Sequence, residues 1–248
     1  MSDNGILRKR FSDGKKKFAP LIDPDKFSLR EIREIGKISQ EAEVDFLLYG
    51  GSLVMEDNHQ EYIAALKEQC SAPVILFPGS QFMIRKEADG LLLLSLISGR
   101  NAEMLIGRHV SAAPYLKTCP FEILPTGYML IESGQPTAVS YMSNSAPIPH
   151  NQDDIAICTA IAGELLGLKL IYMDAGSGAL NPIRPMMIEK VRQNISIPLI
   201  IGGGIRTPEQ AKAAADAGAD LIVVGNAIEK DPSLIHLLSN AVHSLDLS

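Results

Sequence analysis

Short apolar runs recur along this chain with little polar alternation inside them, and stretches of helical spacing separate one run from the next. Residues 18–23, FAPLID, form the first run, and Pro24 ends ladder pairing directly after the terminal carboxylate. Ser28 then precedes Leu29, Ile32, Ile35 and Ile38, an apolar spacing that predicts a helix, and Ser28 with Glu31 makes a capping-box pattern. Further strands are predicted at 45–52 (DFLLYGGS), 72–79 (APVILFPG) and 90–98 (GLLLLSLIS), with helices ending near Cys70 and running from Asn101 towards Lys117. Only SQFMIRKEAD separates Gly79 from Gly90, too little chain for a barrel helix with two loops, so the third helix is expected to be missing or replaced by a strand-like or irregular segment. A fifth strand is predicted at 126–134, and the Ser/Pro/Asn-rich connection reaching Asn151 has the composition of a loop. Then follow a helix at 153–166, a strand at 168–178, a helix at 185–193 and a strand at 197–205. The next helix is well marked by Thr207 as N-cap, Pro208 at the first helical position, Gln210 closing the box and Gly218 at the end, and a last strand is predicted at 219–227.

Strands that are apolar on both faces and alternate with helices imply a parallel sheet covered on both sides. About eight such units in 248 residues predict an α/β fold, a single (β/α)₈ TIM barrel, whose usual length is about 250 residues. An open doubly wound sheet would carry its phosphate fingerprint in the first βα turn, whereas the glycines here cluster late, which favours the barrel. The expected organisation is a basic, flexible N-terminal arm over residues 1–17 and a catalytic barrel over residues 18–248.

Charge narrows the function classes. A formal net charge of −6 with an isoelectric point near 5.4 gives no basic footprint for nucleic acid. The terminal run RKRFSDGKKK is the exception; it allows transient contact with anionic phosphates or a membrane surface, although a solvated arm is the plainer reading. No uncharged apolar stretch reaches transmembrane length and the N-terminus lacks a signal-peptide core, so a cytoplasmic location is expected. Cys70, Cys119 and Cys158 are scattered and odd in number, which suits reduced thiols. The five histidines form no zinc or triad grouping, and GIRTPEQA and VVGNAI form no Rossmann fingerprint.

In a barrel, the loops after the strands build the active site, and phosphate commonly sits at the ends of the seventh and eighth strands. Gly202, Gly203 and Gly204 end the seventh predicted strand, and Gly225 with Asn226 ends the eighth. Glycine lets backbone N–H groups approach an anion without an intervening Cβ, so these turns are candidate phosphate donors. The sixth strand ends in Tyr172, Met173, Asp174, Ala175, Gly176, Ser177 and Gly178, which sets a carboxylate beside a Gly-Ser-Gly turn; Asp174 is the candidate general base. Asp23 after the first strand and Ser52 after Gly50 and Gly51 offer a carboxylate and a hydroxyl of the kind Mg²⁺ takes.

These segments together, LIDPDK, LLYGGS, LFPGS, PTGYMLIESG, YMDAGSGA, IIGGGIRTPEQA and VVGNAIEKDP in this order, resemble geranylgeranylglyceryl phosphate synthases and their heptaprenyl relatives from about Pro20 to Pro232. The resemblance implies a cytoplasmic prenyltransferase of lipid metabolism, homo-oligomeric, that joins a polyprenyl diphosphate to sn-glycerol 1-phosphate with Mg²⁺ and releases diphosphate. It implies that Asp23 and Ser52 hold the metal, and that residues 172–178, Gly203, Gly204, Gly225 and Asn226 hold the glycerol phosphate. Asp174 departs from the family's usual Glu by one methylene. Phe82, Met83, Leu96, Ile97 and Met104 are candidate walls for the prenyl tail, and equally candidate core residues. Two other readings stay open at this point: another phosphate-barrel enzyme acting on a sugar phosphate, which needs no prenyl groove, and a non-catalytic phosphometabolite-binding protein.

Overall fold

A computed structural model describes residues 5–55 and 57–247. Eight parallel strands close into a barrel in sequential order: β1 (Lys17–Ile22), β2 (Leu47–Gly51), β3 (Val74–Pro78), β4 (Gly90–Leu96), β5 (Glu122–Leu130), β6 (Leu170–Asp174), β7 (Leu199–Gly202) and β8 (Leu221–Val224), with β8 pairing back to β1. Alternate strand residues face opposite ways, so the apolar runs supply two cores. Ala19, Leu48, Leu92, Leu124, Leu170, Ile200 and Leu221 fill the barrel interior. Phe18, Leu47, Leu91, Met129, Ile171, Ile201 and Ile222 pack outward against the helices.

The helices are α1 (Ile6–Phe11), α2 (Leu29–Glu41), α3 (His59–Gln69), α4 (Arg108–Leu116), α5 (Ala138–Ser143), α6 (Asp153–Leu165), α7 (Pro185–Arg192), α8 (Pro208–Asp216), α9 (Asn226–Lys230) and α10 (Leu234–His243). The Ser28/Glu31 capping box that starts α2 is formed in both directions. Thr207 caps α8 by accepting from the Gln210 N–H at 3.3 Å, while the Gln210 side chain accepts from the Arg206 N–H instead of closing back on Thr207. Gly218 leaves that helix in the left-handed region, φ +109°, where a side chain would be strained.

The arm expected to be flexible is, from Gly5 onward, part of the fold. Leu7 and Phe11 of α1 are buried in the inner core, Phe11 stacks on Phe46 with ring centroids 4.5 Å apart, and Glu122 accepts from the Leu7 N–H at 2.8 Å. The helix closes the barrel at the end opposite the βα loops, and Lys17, counted with the arm, opens β1 with its side chain buried. Two apolar residues one helical turn apart, within a run read for its charge, are the reason. Residues 1–4 of the expected arm lie outside the described residues.

The connection from β3 to β4 holds one 3₁₀ turn, Gln81–Met83, in place of a barrel helix. Here the barrel is thinly sewn: β3 and β4 pair only at Ile75 with Gly90 and Leu76 with Leu91, as few positions as β1 and β2 share, whereas β4 and β5 pair over seven. Above Leu76 the two strands run without mutual pairing. The connection after β5, predicted as loop, contains the short helix α5.

Candidate active site

The strand ends named from the sequence converge on one face. Asp174, a residue only 7% exposed, ends β6, and its carboxylate accepts from two donors: the Gly176 N–H reaches Oδ1 at 2.7 Å and the Tyr128 hydroxyl reaches Oδ2 at 2.5 Å. Burial pushes the pKa of Asp174 up from the ordinary carboxylate range, and the two hydrogen bonds oppose it by favouring the charged form. The phenols of Tyr128 and Tyr172 are pushed well above their usual value by burial and by the neighbouring carboxylate, so both stay protonated.

Gly203 and Gly204 follow β7 with φ of +79° and +73°. A Cβ on Gly203 would lie 2.5 Å from Asp174 Oδ1 and 2.6 Å from the Gly176 nitrogen, and one on Gly204 would lie 2.5 Å from the Asn181 carbonyl oxygen. Both positions therefore need glycine, for backbone shape and for the approach of the β6 loop. Asn226, after β8, accepts from the Gly178 N–H at 2.8 Å and donates to Glu229. The loops after β6, β7 and β8 are thereby tied into one cradle.

Not every residue of the 172–178 run faces this cradle. Met173 is fully buried in the outer core, and Ala175 turns its methyl the same way while its N–H donates to the Gly202 carbonyl at 3.0 Å. Strand alternation at Asp174 forces this, so the side chains of Met173 and Ala175 belong to the packing around the barrel and not to the site expected of them. Tyr172 lies on the inner face, with its hydroxyl 2.5 Å from where a Cβ on Gly202 would be.

Across the face, Asp23 directly follows β1 and accepts from the Asp25 N–H at 3.1 Å, capping a 3₁₀ turn, Pro24–Lys26. Its other oxygen would be 3.0 Å from a Cβ on Gly51, so the bare Gly51 backbone keeps that oxygen uncovered next to Ser52. Burial raises the Asp23 pKa, and the carboxylates of Asp25 and Glu229 add to the rise. Among the described residues no cation pairs with Asp23, and no cluster of three or more His, Cys, Asp or Glu side chains surrounds a common point.

Between these two groups opens a cavity of about 210 Å³. Gly51, Ser52, Gly79 and Ser80 stand at the strand-end side; Phe77, Leu96, Met104 and Tyr128 form its walls; Leu91, Leu93, Ala112 and Leu116 lie at its deep side. From Leu96 down to Leu91 is five strand residues, roughly 16 Å of depth. Leu96 and Met104 are thus wall residues, whereas Phe82 is 78% exposed and Met83 buried, with neither lining the cavity. Ile97 packs against the outer core.

Sequence reading missed Tyr128. The register offers a signal: Tyr128 pairs with Tyr172 and Leu130 with Asp174, so each tyrosine sits two residues below the end of its strand on the same face.

Comparison with known proteins agrees with this geometry. The chain matches the PcrB family over residues 12–242. A geranylgeranylglyceryl phosphate synthase of Spirosoma linguale is 51% identical over 243 residues, covering 98% of each chain. One of Thermococcus kodakarensis is 43% identical over 215 residues, 86% of this chain and 84% of the relative. The crystal structure of (S)-3-O-geranylgeranylglyceryl phosphate synthase of Thermoplasma acidophilum, in complex with its substrate sn-glycerol-1-phosphate, superposes with a TM-score of 0.90 at 33% identity, covering 96% of this chain and 97% of the other.

Proposed function

The chain belongs to the PcrB family, and on that premise we propose that it transfers a polyprenyl group of geranylgeranyl type from its diphosphate to the hydroxyl of sn-glycerol 1-phosphate, a step of ether-lipid synthesis. The observation that carries the reading is the apolar cavity meeting a polar cradle at Tyr128 and Ser52, one compartment for a hydrocarbon tail and one for a phosphorylated acceptor. A sugar-phosphate isomerase or lyase needs only the second compartment.

The acceptor phosphate sits against the backbone of Gly203, Gly204 and Gly225, at the barrel position that commonly takes this group. Its glycerol hydroxyl then points toward Asp174. The hydroxyl oxygen attacks the first prenyl carbon, its proton passes to the Asp174 carboxylate, and the carbon–oxygen bond to diphosphate breaks with the electron pair leaving on diphosphate. The cavity walls exclude water, which would otherwise compete as the nucleophile.

Asp23 and Ser52 would hold Mg²⁺, whose charge would stabilise the departing diphosphate. The donor set fits. A single half-buried carboxylate without a cationic partner, beside a hydroxyl and an uncovered glycine backbone, suits an ion that keeps waters and leans on substrate phosphates. The reading also takes the protein as a cytoplasmic homo-oligomer, supported by exposed apolar side chains at Ile106 just before α4, Val110 on α4, and Leu165 and Leu166 at the end of α6; no helix among the described residues is long and apolar enough to cross a membrane.

The test is turnover of labelled sn-glycerol 1-phosphate with Mg²⁺ and a panel of prenyl diphosphates of increasing length. A prenylglyceryl phosphate should form, and Asp174→Asn and Asp23→Ala should each lose it by about a hundredfold or more. A folded protein that binds glycerol phosphate yet yields no product with any donor would sink the proposal.

A further inference from the structure

We infer that Tyr128 is the positioning residue for the acceptor base: its hydroxyl fixes the Asp174 carboxylate at the wall where the apolar cavity meets the phosphate cradle. The inference rests on the reading of Asp174 as base.

Three observations converge on this residue. Its hydroxyl lies 2.5 Å from Asp174 Oδ2, and among the described residues it is the one side chain that donates to that carboxylate; the other donor is the Gly176 backbone, on Oδ1. With one donor on each oxygen, the carboxylate cannot rotate, yet each oxygen keeps a lone-pair direction for an incoming hydroxyl. The ring is 5% exposed and wedged between Phe77 and Tyr172, at centroid distances of 6.1 and 5.6 Å, so the phenol itself is held by packing. Finally, the same ring lines the apolar cavity. One side chain thus touches the donor compartment and orients the group that deprotonates the acceptor.

The chemistry follows from the surroundings of Asp174. The titratable groups that face it are Tyr128 from β5 and Tyr172 from its own strand; β7 presents only glycine there, and among the described residues no cation pairs with it. Burial alone would drive the carboxyl towards its neutral form, which donates a hydrogen bond and accepts no proton. A phenol that stays protonated donates to Asp174 Oδ2, and that bond favours the charged carboxylate. Removing that donor makes the carboxylate take up a proton more readily.

The experiment uses the whole chain with Mg²⁺, labelled sn-glycerol 1-phosphate and geranylgeranyl diphosphate. Tyr128→Phe keeps the ring and loses one oxygen. Its kcat should fall about tenfold or more with both KM values within about threefold of wild type, because the lost bond orients the base and not the substrates. The acid limb of kcat/KM should move to higher pH. In an Asp174→Asn background the same substitution should cost almost nothing further, since the two act as a unit. Wild-type kcat and an unmoved acid limb in Tyr128→Phe, with Asp174→Asn inactive, overturn the role of Tyr128 alone. An active Asp174→Asn overturns the base itself. Loss of activity that tracks a lowered melting temperature, with the acid limb in place, assigns Tyr128 to packing and also overturns the inference; Tyr128→Met, which fills the space flexibly without a hydroxyl, repeats the measurement should Tyr128→Phe not fold.

Discussion

Asp23 is held where its charge is unfavourable: it is half-buried, near Asp25 and Glu229, and unpaired with any cation among the described residues. Its folded pKa is raised above the unfolded one, so the penalty is absent below the unfolded value and fully present once pH exceeds the folded value. Asp23→Asn removes the charge and keeps an oxygen able to cap the turn at Pro24, since Asn caps about as well as Asp. At neutral pH and without Mg²⁺ its melting temperature should equal or exceed that of wild type, while turnover falls at least about a hundredfold; a clearly lowered melting temperature would mean that Asp23 is structural. Single residues of this kind were the legible part of the candidate site. Asp23, Ser52, Asp174, Gly203, Gly204 and Asn226 stand out because a strand ends at each and their chemistry is unusual there. Tyr128 was not legible: it lies inside an apolar strand, and only the pairing of β5 with β6 brings its hydroxyl to Asp174.

At the scale of elements, the missing helix between β3 and β4 has the largest consequence. The ten residues SQFMIRKEAD were too few to form it, and that much is arithmetic on the chain. What could not be read was where the vacated space leads, because the walls are assembled from α4 and from both faces of β4. Ala112, on α4, lies at the deep side with Leu116 and Leu91. Ala112→Phe should fill that end: kcat/KM for a twenty-carbon donor drops by about tenfold or more while a ten-carbon donor is spared, as overpacking a well-filled site costs about 1–3 kcal/mol. Equal losses for both donors would place the tail elsewhere. The N-terminal helix α1 was hidden for a different reason: its charges dominate the run, and two buried residues are too few for periodicity to reveal.

For the molecule as a whole, binding chemistry gathers at one end of the barrel while the other end is closed by Leu7 and Phe11. The order of strands and the closure followed from apolar runs and late glycines, since a parallel sheet buried on both faces has few arrangements available. The division of labour around the circumference did not. The candidate phosphate cradle is built on β6, β7 and β8, which pair over three or four positions at each junction with further ties between their loops, while β3 and β4 share two, as do β1 and β2. A closed hoop opens where it is stitched thinly, and of the two seams with only two pairs this is the one that lines the apolar cavity with both its strands. Fluctuation at this seam would let a long hydrocarbon slide in sideways while the opposite arc stays rigid, so entry of the donor would not loosen the acceptor. Hydrogen exchange offers the check: peptides covering 77–80 and 91–96 should exchange ahead of those covering 170–174 and 199–202, and a non-reactive donor analogue should slow the first pair selectively. Uniform protection around the hoop would instead require the tail to enter from the top, and the gap in the stitching would be a passive scar of the lost helix.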